Sequence, residues 1–222
     1  MLSLRFGPEL PGSLRVLCLG AHSDDIEIGC GGTILRLLHS YKNCEVTWVV
    51  FSAKAQRRHE ALCSARRFLK DARTRTIIAK GFKESFFPYH GEDIKEFFEQ
   101  LKKRIAPDLI FTHYRHDLHQ DHRAICELTW NTFRHHQILE YEIPKYDGDL
   151  GQPNFYVPLT QTLCKKKVQY LMEGFSTQRD RPWFTEDTFY SLLRLRGIES
   201  NAPDKYAEGF YGRKIVLGDG IL

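Results

Sequence analysis

An α/β fold, one three-layer α/β/α domain spanning residues 1–222 around a mostly parallel sheet, is what the sequence predicts on three observations. Short apolar runs alternate with segments of helical period: "LRVLCLG" (14–20), "CEVTWVVFS" (44–52), "TRTIIAK" (74–80) and "DLIFTH" (108–113) are separated by "GGTILRLLHSYK", "RRHEALCSARRFLK" and "GEDIKEFFEQLKKRIA". The runs are short and rich in apolar residues, as expected of buried parallel strands. At 222 residues, 42% hydrophobic and 27% charged, the chain can bury one sizeable core.

The regular strand and helix alternation of the first half is the pattern of βαβ units, so this half should form a doubly wound, Rossmann-like sheet. The second half is less regular. "HQDHRAICELTWNTFRHH" reads as a helix, "ILEYEIP" as a strand, and "GDLGQPNFYVP" as a loop because it is rich in turn formers. "QTLCKKKVQYLMEGF" and "DTFYSLLRLRG" read as two further helices, and "GRKIVL" as a last strand. Repeats, low-complexity tracts and linkers are absent.

Composition narrows the classes of function. The net charge of +4 is scattered over several short basic clusters with no recognition motif among them, which argues against nucleic acid as a partner. No apolar run approaches the roughly 20 residues needed to cross a bilayer, and the N-terminal stretch is broken early by glycine and proline, so no membrane span or leader is expected. None of the six cysteines forms a C-x-x-C pair. Free cysteines on apolar faces suit a reducing, cytoplasmic setting. Homo-oligomerisation is left open.

Chemistry concentrates in two stretches. "LGAHSDDIEIGCGG" (19–32) places His22, Asp24 and Asp25 directly after a strand, where open α/β sheets bind ligands. Gly29, Gly31 and Gly32 are expected to shape a tight turn before the helix. A dinucleotide site is the rival, but G-x-G-x-x-G is missing and two carboxylates would repel a pyrophosphate. An Asp pair alone is usually a cap, and a lone histidine usually structural. Together, an imidazole and a hard carboxylate three positions apart suit a borderline cation such as zinc, which needs at least one more protein ligand. "HYRHDLHQDHRA" (113–124) offers it from a strand end on the same sheet edge.

"AHSDD" followed by "GCGG", with "HQDH" opening a later helix, resembles the PIG-L/LmbE-like family of zinc-dependent N-deacetylases. "RRHEALCSARRFL" and "YAEGF" are similar to further, less specific family segments. The resemblance implies an LmbE-like fold, with His22, Asp25 and His122 binding Zn2+ or another divalent cation. It also implies Asp24 as general base, His119 facing the substrate carbonyl oxygen, and Arg57 near the substrate pocket. Ser23 stands where the family usually has proline, which removes a fixed φ from the turn.

These residue types suit amide hydrolysis. A zinc with three protein ligands acidifies water and polarises a carbonyl; Asp24 can take and return a proton; His119 can donate to the oxyanion. Asp117 or Asp121 could orient a histidine, or could merely cap the helix. The resemblance implies that the function is removal of an acetyl group from a small N-acetylated sugar or conjugate, an N-acetylglucosaminyl group first among them. The alternatives are a metal-dependent phosphoesterase, which usually needs more bridging carboxylates, and a silent metal-binding module, against which Asp24 and His119 argue.

Other features have plainer readings. Glu60 with Arg57 at i, i+3 makes an ordinary surface ion pair. His135 and His136 suit a helix C-terminus. "FFPYH" and "NFYVP" could stack on a sugar but more commonly pack beneath a loop. Arg179, Arg181 and Arg196 flank a segment able to cover the site.

Overall fold

A computed structural model describes residues 13–216. The N-terminal stretch read as lacking a leader, and the end of "GRKIVL", lie outside the described residues. In chain order the elements are β1 (Leu14–Gly20), α1 (Asp25–Ser40), β2 (Cys44–Val50), α2 (Ala55–Phe68), β3 (Thr74–Ala79), α3 (Gly91–Lys102) and β4 (Leu109–His113). The second half adds α4 (Gln120–Thr132), β5 (Gln137–Tyr141), β6 (Phe155–Leu159), α5 (Gln161–Gly174), α6 (Glu186–Glu199) and β7 (Tyr206–Gly212).

One sheet runs in the order β3-β2-β1-β4-β5-β7-β6. The first five strands are parallel; β7 lies antiparallel between β5 and β6. Two separate cores make the layers. Ile34 of α1, Phe68 of α2, Leu171 of α5 and Leu193 of α6 pack with Trp48, Phe111 and Tyr141 on one face. Phe98 of α3 and Ile125 of α4 pack with Leu19, Phe51 and Ile110 on the other. Helices therefore cover both faces, as the apolar-rich strands require.

The chain leaves β1 towards β2 on one side and returns to β4 on the other, so the β1/β4 boundary is the topological switch point. Their register aligns Cys18 with Phe111. The turn after Gly20 and the end at His113 thus emerge side by side, although Ala21 and His113 are 92 residues apart.

Three expectations are corrected. The glycines do not shape a turn: Gly29, Gly31 and Gly32 lie inside α1, which begins at Asp25. Their role is close approach, since a Cβ on Gly29 would sit 2.1 Å from the Tyr141 ring and one on Gly32 2.5 Å from Leu159. Within "NFYVP", the residues from Phe155 onwards form a strand, β6, rather than loop. Pro158 disguises it, and is tolerated because β6 is the edge strand. The last strand is Tyr206–Gly212, not "GRKIVL", of which only Gly212 is in β7 and residues 213–216 are irregular. Burial of Ala207, Glu208 and Phe210 puts a carboxylate in the core, which breaks the apolar signature.

Candidate metal centre

The β1–α1 turn and the N-terminus of α4 meet at the switch point. Asp24 is the N-cap residue of α1 and Asp25 its first residue; His119 is the N-cap of α4, with His122 in its first turn. His22, Asp24, Asp25 and His122 are all buried. His22 Nδ1 lies 3.1 Å from His122 Nε2 and 3.4 Å from Asp25 Oδ2, and His122 Nε2 lies 3.6 Å from Asp25 Oδ2. The trio expected from the sequence is therefore brought together.

The other nitrogen of each imidazole is committed. Asp121 Oδ2 is 3.1 Å from His22 Nε2, and Asp117 Oδ2 is 2.8 Å from His122 Nδ1. Ionised carboxylates only accept, so they hold protons on those nitrogens and leave His22 Nδ1 and His122 Nε2 facing inwards, where a bound cation would take the place of the proton between them. Asp117 and Asp121 thus orient the histidines; the capping alternative falls away because His119 is the N-cap. Asp121 also accepts from the Ser85 and Phe87 amides at 2.6 and 3.1 Å, which ties the β3–α3 loop to the centre.

Three donors facing one another at these separations fit a cation. Tetrahedral ligands about 2.0–2.2 Å from a zinc ion lie roughly 3.3–3.6 Å apart, close to the triangle found here. The field agrees. Burial disfavours charge on His22, but Asp25 and Asp121 outweigh it and raise its pKa to about 10, so the pocket favours positive charge. Burial likewise opposes ionisation of Asp25, yet His122, His22 and His113 hold its carboxyl well below the usual range. Burial, reinforced by His113, lowers His122 to about 3 and keeps it neutral, the form a ligand needs.

His119 and His113 complete two candidate cation-holding groups, His22/His119/His122 and Asp25/His113/His122, which share His122. His119 Nδ1 accepts from the Asp121 amide at 3.2 Å, so in its neutral form Nε2 carries the proton and is a donor. His113, which carried no assigned role in the sequence, stacks on His122 with centroids 3.9 Å apart. Its Nε2 accepts from the Ala21 amide at 2.9 Å, so its lone pair is engaged although Asp25 Oδ2 lies only 3.2 Å away. A histidine closing a strand gives no spacing signal; only its place on the switch-point edge pointed to it.

The paired aspartates part company. Asp24 Oδ1 receives Arg57 Nη2 at 2.8 Å, whereas Asp25 faces the histidines. Asp24 Oδ2 is buried with no hydrogen-bond partner among the described residues. Burial pushes the Asp24 carboxyl up to about 6, with Arg57 pulling the other way. The Arg57–Glu60 surface pair is corrected: Glu60 is buried and accepts from Ser176 and Thr177, so Arg57 is left to Asp24. Arg196 is also corrected. It is buried in ion pairs with Glu142 and Glu199, too committed to meet substrate. The Ser23 hydroxyl is buried without a hydrogen-bond partner among the described residues, so none of them replaces the rigidity of a proline.

With this geometry in hand, comparison with known proteins places the chain. The model of the PIG-L family, described as GlcNAc-PI de-N-acetylase, matches residues 17–133, a span holding both motif loops. The chain belongs to this family of deacetylases. It is 30% identical over 141 residues to the uncharacterised deacetylase YaiS of Escherichia coli K12, covering 58% of this chain and 74% of that one.

Among solved structures, the N,N'-diacetylchitobiose deacetylase of Pyrococcus horikoshii superposes with TM-score 0.69 at 23% identity, over 89% of this chain and 83% of that one. GalB of Pseudomonas putida KT2440, a 4-carboxy-2-hydroxymuconate hydratase, superposes with TM-score 0.73 at 14% identity, over 94% and 100%. These two likenesses establish the fold alone. That one fold carries a deacetylase and a hydratase leaves the reaction to be argued from the site.

Proposed function

We propose that the protein removes the acetyl group from a small N-acetylated sugar or sugar conjugate, with His22, Asp25 and His122 holding a divalent cation, zinc first among candidates. The observation that carries this reading is the inward-facing triangle of His22 Nδ1, Asp25 Oδ2 and His122 Nε2. A cation bound there supplies Lewis acidity, polarising the amide carbonyl and acidifying water.

The remaining work falls to the chain. Asp24 has a buried oxygen without a partner among the described residues and a carboxyl pushed up to about 6, so it can take a proton from water and return it to the departing amine. Water's oxygen bonds to the acyl carbon, the C–N bond breaks, and acetate and a free amine leave. His119, with Nε2–H free to donate, stabilises the oxyanion that forms on the way. Arg57 anchors the oxygen of Asp24 that is not used for proton transfer and borders the substrate.

The N-acetylglucosaminyl preference is supported by the family's description as GlcNAc-PI de-N-acetylase. A single domain over 1–222 and a reducing, cytoplasmic setting complete the proposal. No described helix is long and apolar enough to cross a membrane, and all six cysteines are free. Acetate release from a panel of N-acetylated sugars, beside a phosphoester control, tests the reading. Acetate with the amine product supports it; phosphate release alone, or no turnover at any cation, rejects it.

A further inference from the structure

Between β5 and β6 the segment 142–151 runs past the metal centre and is pinned at both ends by one arginine. Arg196 bonds Glu142 at 2.7 and 2.8 Å, and the Gly151 carbonyl at 3.0 Å. From the middle of this strap Lys145 turns inwards. Its side chain is only 9% exposed, and Nζ lies 3.1 Å from Asp117 Oδ2, the oxygen that bonds His122 Nδ1. On its other side Lys145 contacts Asp149, which accepts from the Leu118 amide at 2.7 Å. Asp117 Oδ1 meanwhile accepts from the His119 amide at 2.8 Å.

One ammonium thus closes a chain of contacts, Asp149 to Lys145 to Asp117 to His122, and touches none of the expected cation ligands itself. Without a cation beside it, Asp117 would be a buried carboxylate supported only by neutral donors, a costly arrangement in a low dielectric. With it, Asp117 stays a full acceptor, fixes the His122 proton on Nδ1, and keeps Nε2 aimed at His22 and Asp25.

We infer that Lys145 is a positioning residue for the metal centre, acting through Asp117 to fix His122. This rests on the cation reading above, and one experiment separates the two. Zn2+ is titrated calorimetrically into the full chain stripped with chelator, for the wild type, Lys145→Met, Asp117→Asn and the double variant, with thermal melts in parallel. Loss of an orienting partner of a metal-binding histidine typically costs 10- to 100-fold in affinity; that loss is expected for Asp117→Asn, and Lys145→Met should lower affinity by up to the same factor.

In the Asp117→Asn background, Lys145→Met should change affinity by less than about twofold, because its route to His122 is gone. Should Lys145→Met fail to fold, Lys145→Gln takes its place in both backgrounds. Wild-type affinity in the single variant, or an equal loss in both backgrounds, would overturn the inference. A wild-type chain that binds no Zn2+ would overturn the cation reading itself, and this inference with it.

Discussion

His22 and His122, one hundred residues apart in sequence, meet with Nδ1 and Nε2 3.1 Å apart, each held from behind by its own carboxylate. Two like ring nitrogens turned towards each other in a buried site make sense as a pair of donors to a common cation.

The adjacent aspartates should separate by assay. Asp24→Asn should keep cation content at the wild-type level while lowering kcat by about 10²–10⁴, the usual range for loss of a general base. Asp25→Asn should lose the cation together with activity. Metal analysis beside acetate release reads both; loss of the cation in Asp24→Asn would contradict the division of roles.

His119 should matter to the transition state more than to binding. Its Nδ1 is engaged by the Asp121 amide, leaving Nε2–H as the donor. His119→Ala should reduce kcat by about 10²–10³ with little change in KM. Equal kcat with a raised KM would make it a ground-state contact instead.

Gly29 sits inside α1 because the Tyr141 ring occupies the space of a side chain. A Cβ there would lie 2.1 Å from Tyr141 Cδ2, and Tyr141 is tied by its hydroxyl to the Leu19 carbonyl at 2.6 Å, so neither partner yields easily. Gly29→Ala should destabilise the protein by about 1–3 kcal/mol despite alanine's better helix propensity. Denaturant midpoints measure it; an unchanged or raised midpoint would show that Tyr141 moves freely.

Glu60 provides a pH signature away from the metal centre. Burial opposes its ionisation, but bonds from Thr177 and Ser176 outweigh that and lower its pKa below the ordinary value of 4.5. A depressed folded pKa stabilises above the unfolded value, and that contribution disappears as pH falls through the folded one. Glu60→Gln should therefore melt below wild type at pH 7, with the gap narrowing below about pH 4.5. A gap that widened with acid would reverse the sign.

Much of this architecture is legible in the sequence because its causes are local. The parallel strands of the first half announce themselves by short runs rich in apolar residues, and "AHSDD" and "HQDH" carry residue types that chemistry rarely groups by chance. What escapes is set by distant contacts. The helical glycines are explained only by Tyr141 and Leu159 from other elements, and β6 is hidden by Pro158, harmless only at an edge. His113 and Lys145 give no spacing signal, since one merely ends a strand and the other sits in a loop rich in turn formers. Their roles arise from a sheet edge and a strap that only folding brings together.

The most direct test of the central claim is the stoichiometry of divalent-cation binding to wild-type protein and to His122→Ala. The account predicts one tightly held Zn2+ or equivalent ion per wild-type chain, and its loss together with acetate release in the variant. A wild-type chain without a bound ion that still releases acetate, or a His122→Ala variant that keeps both ion and activity, would contradict it.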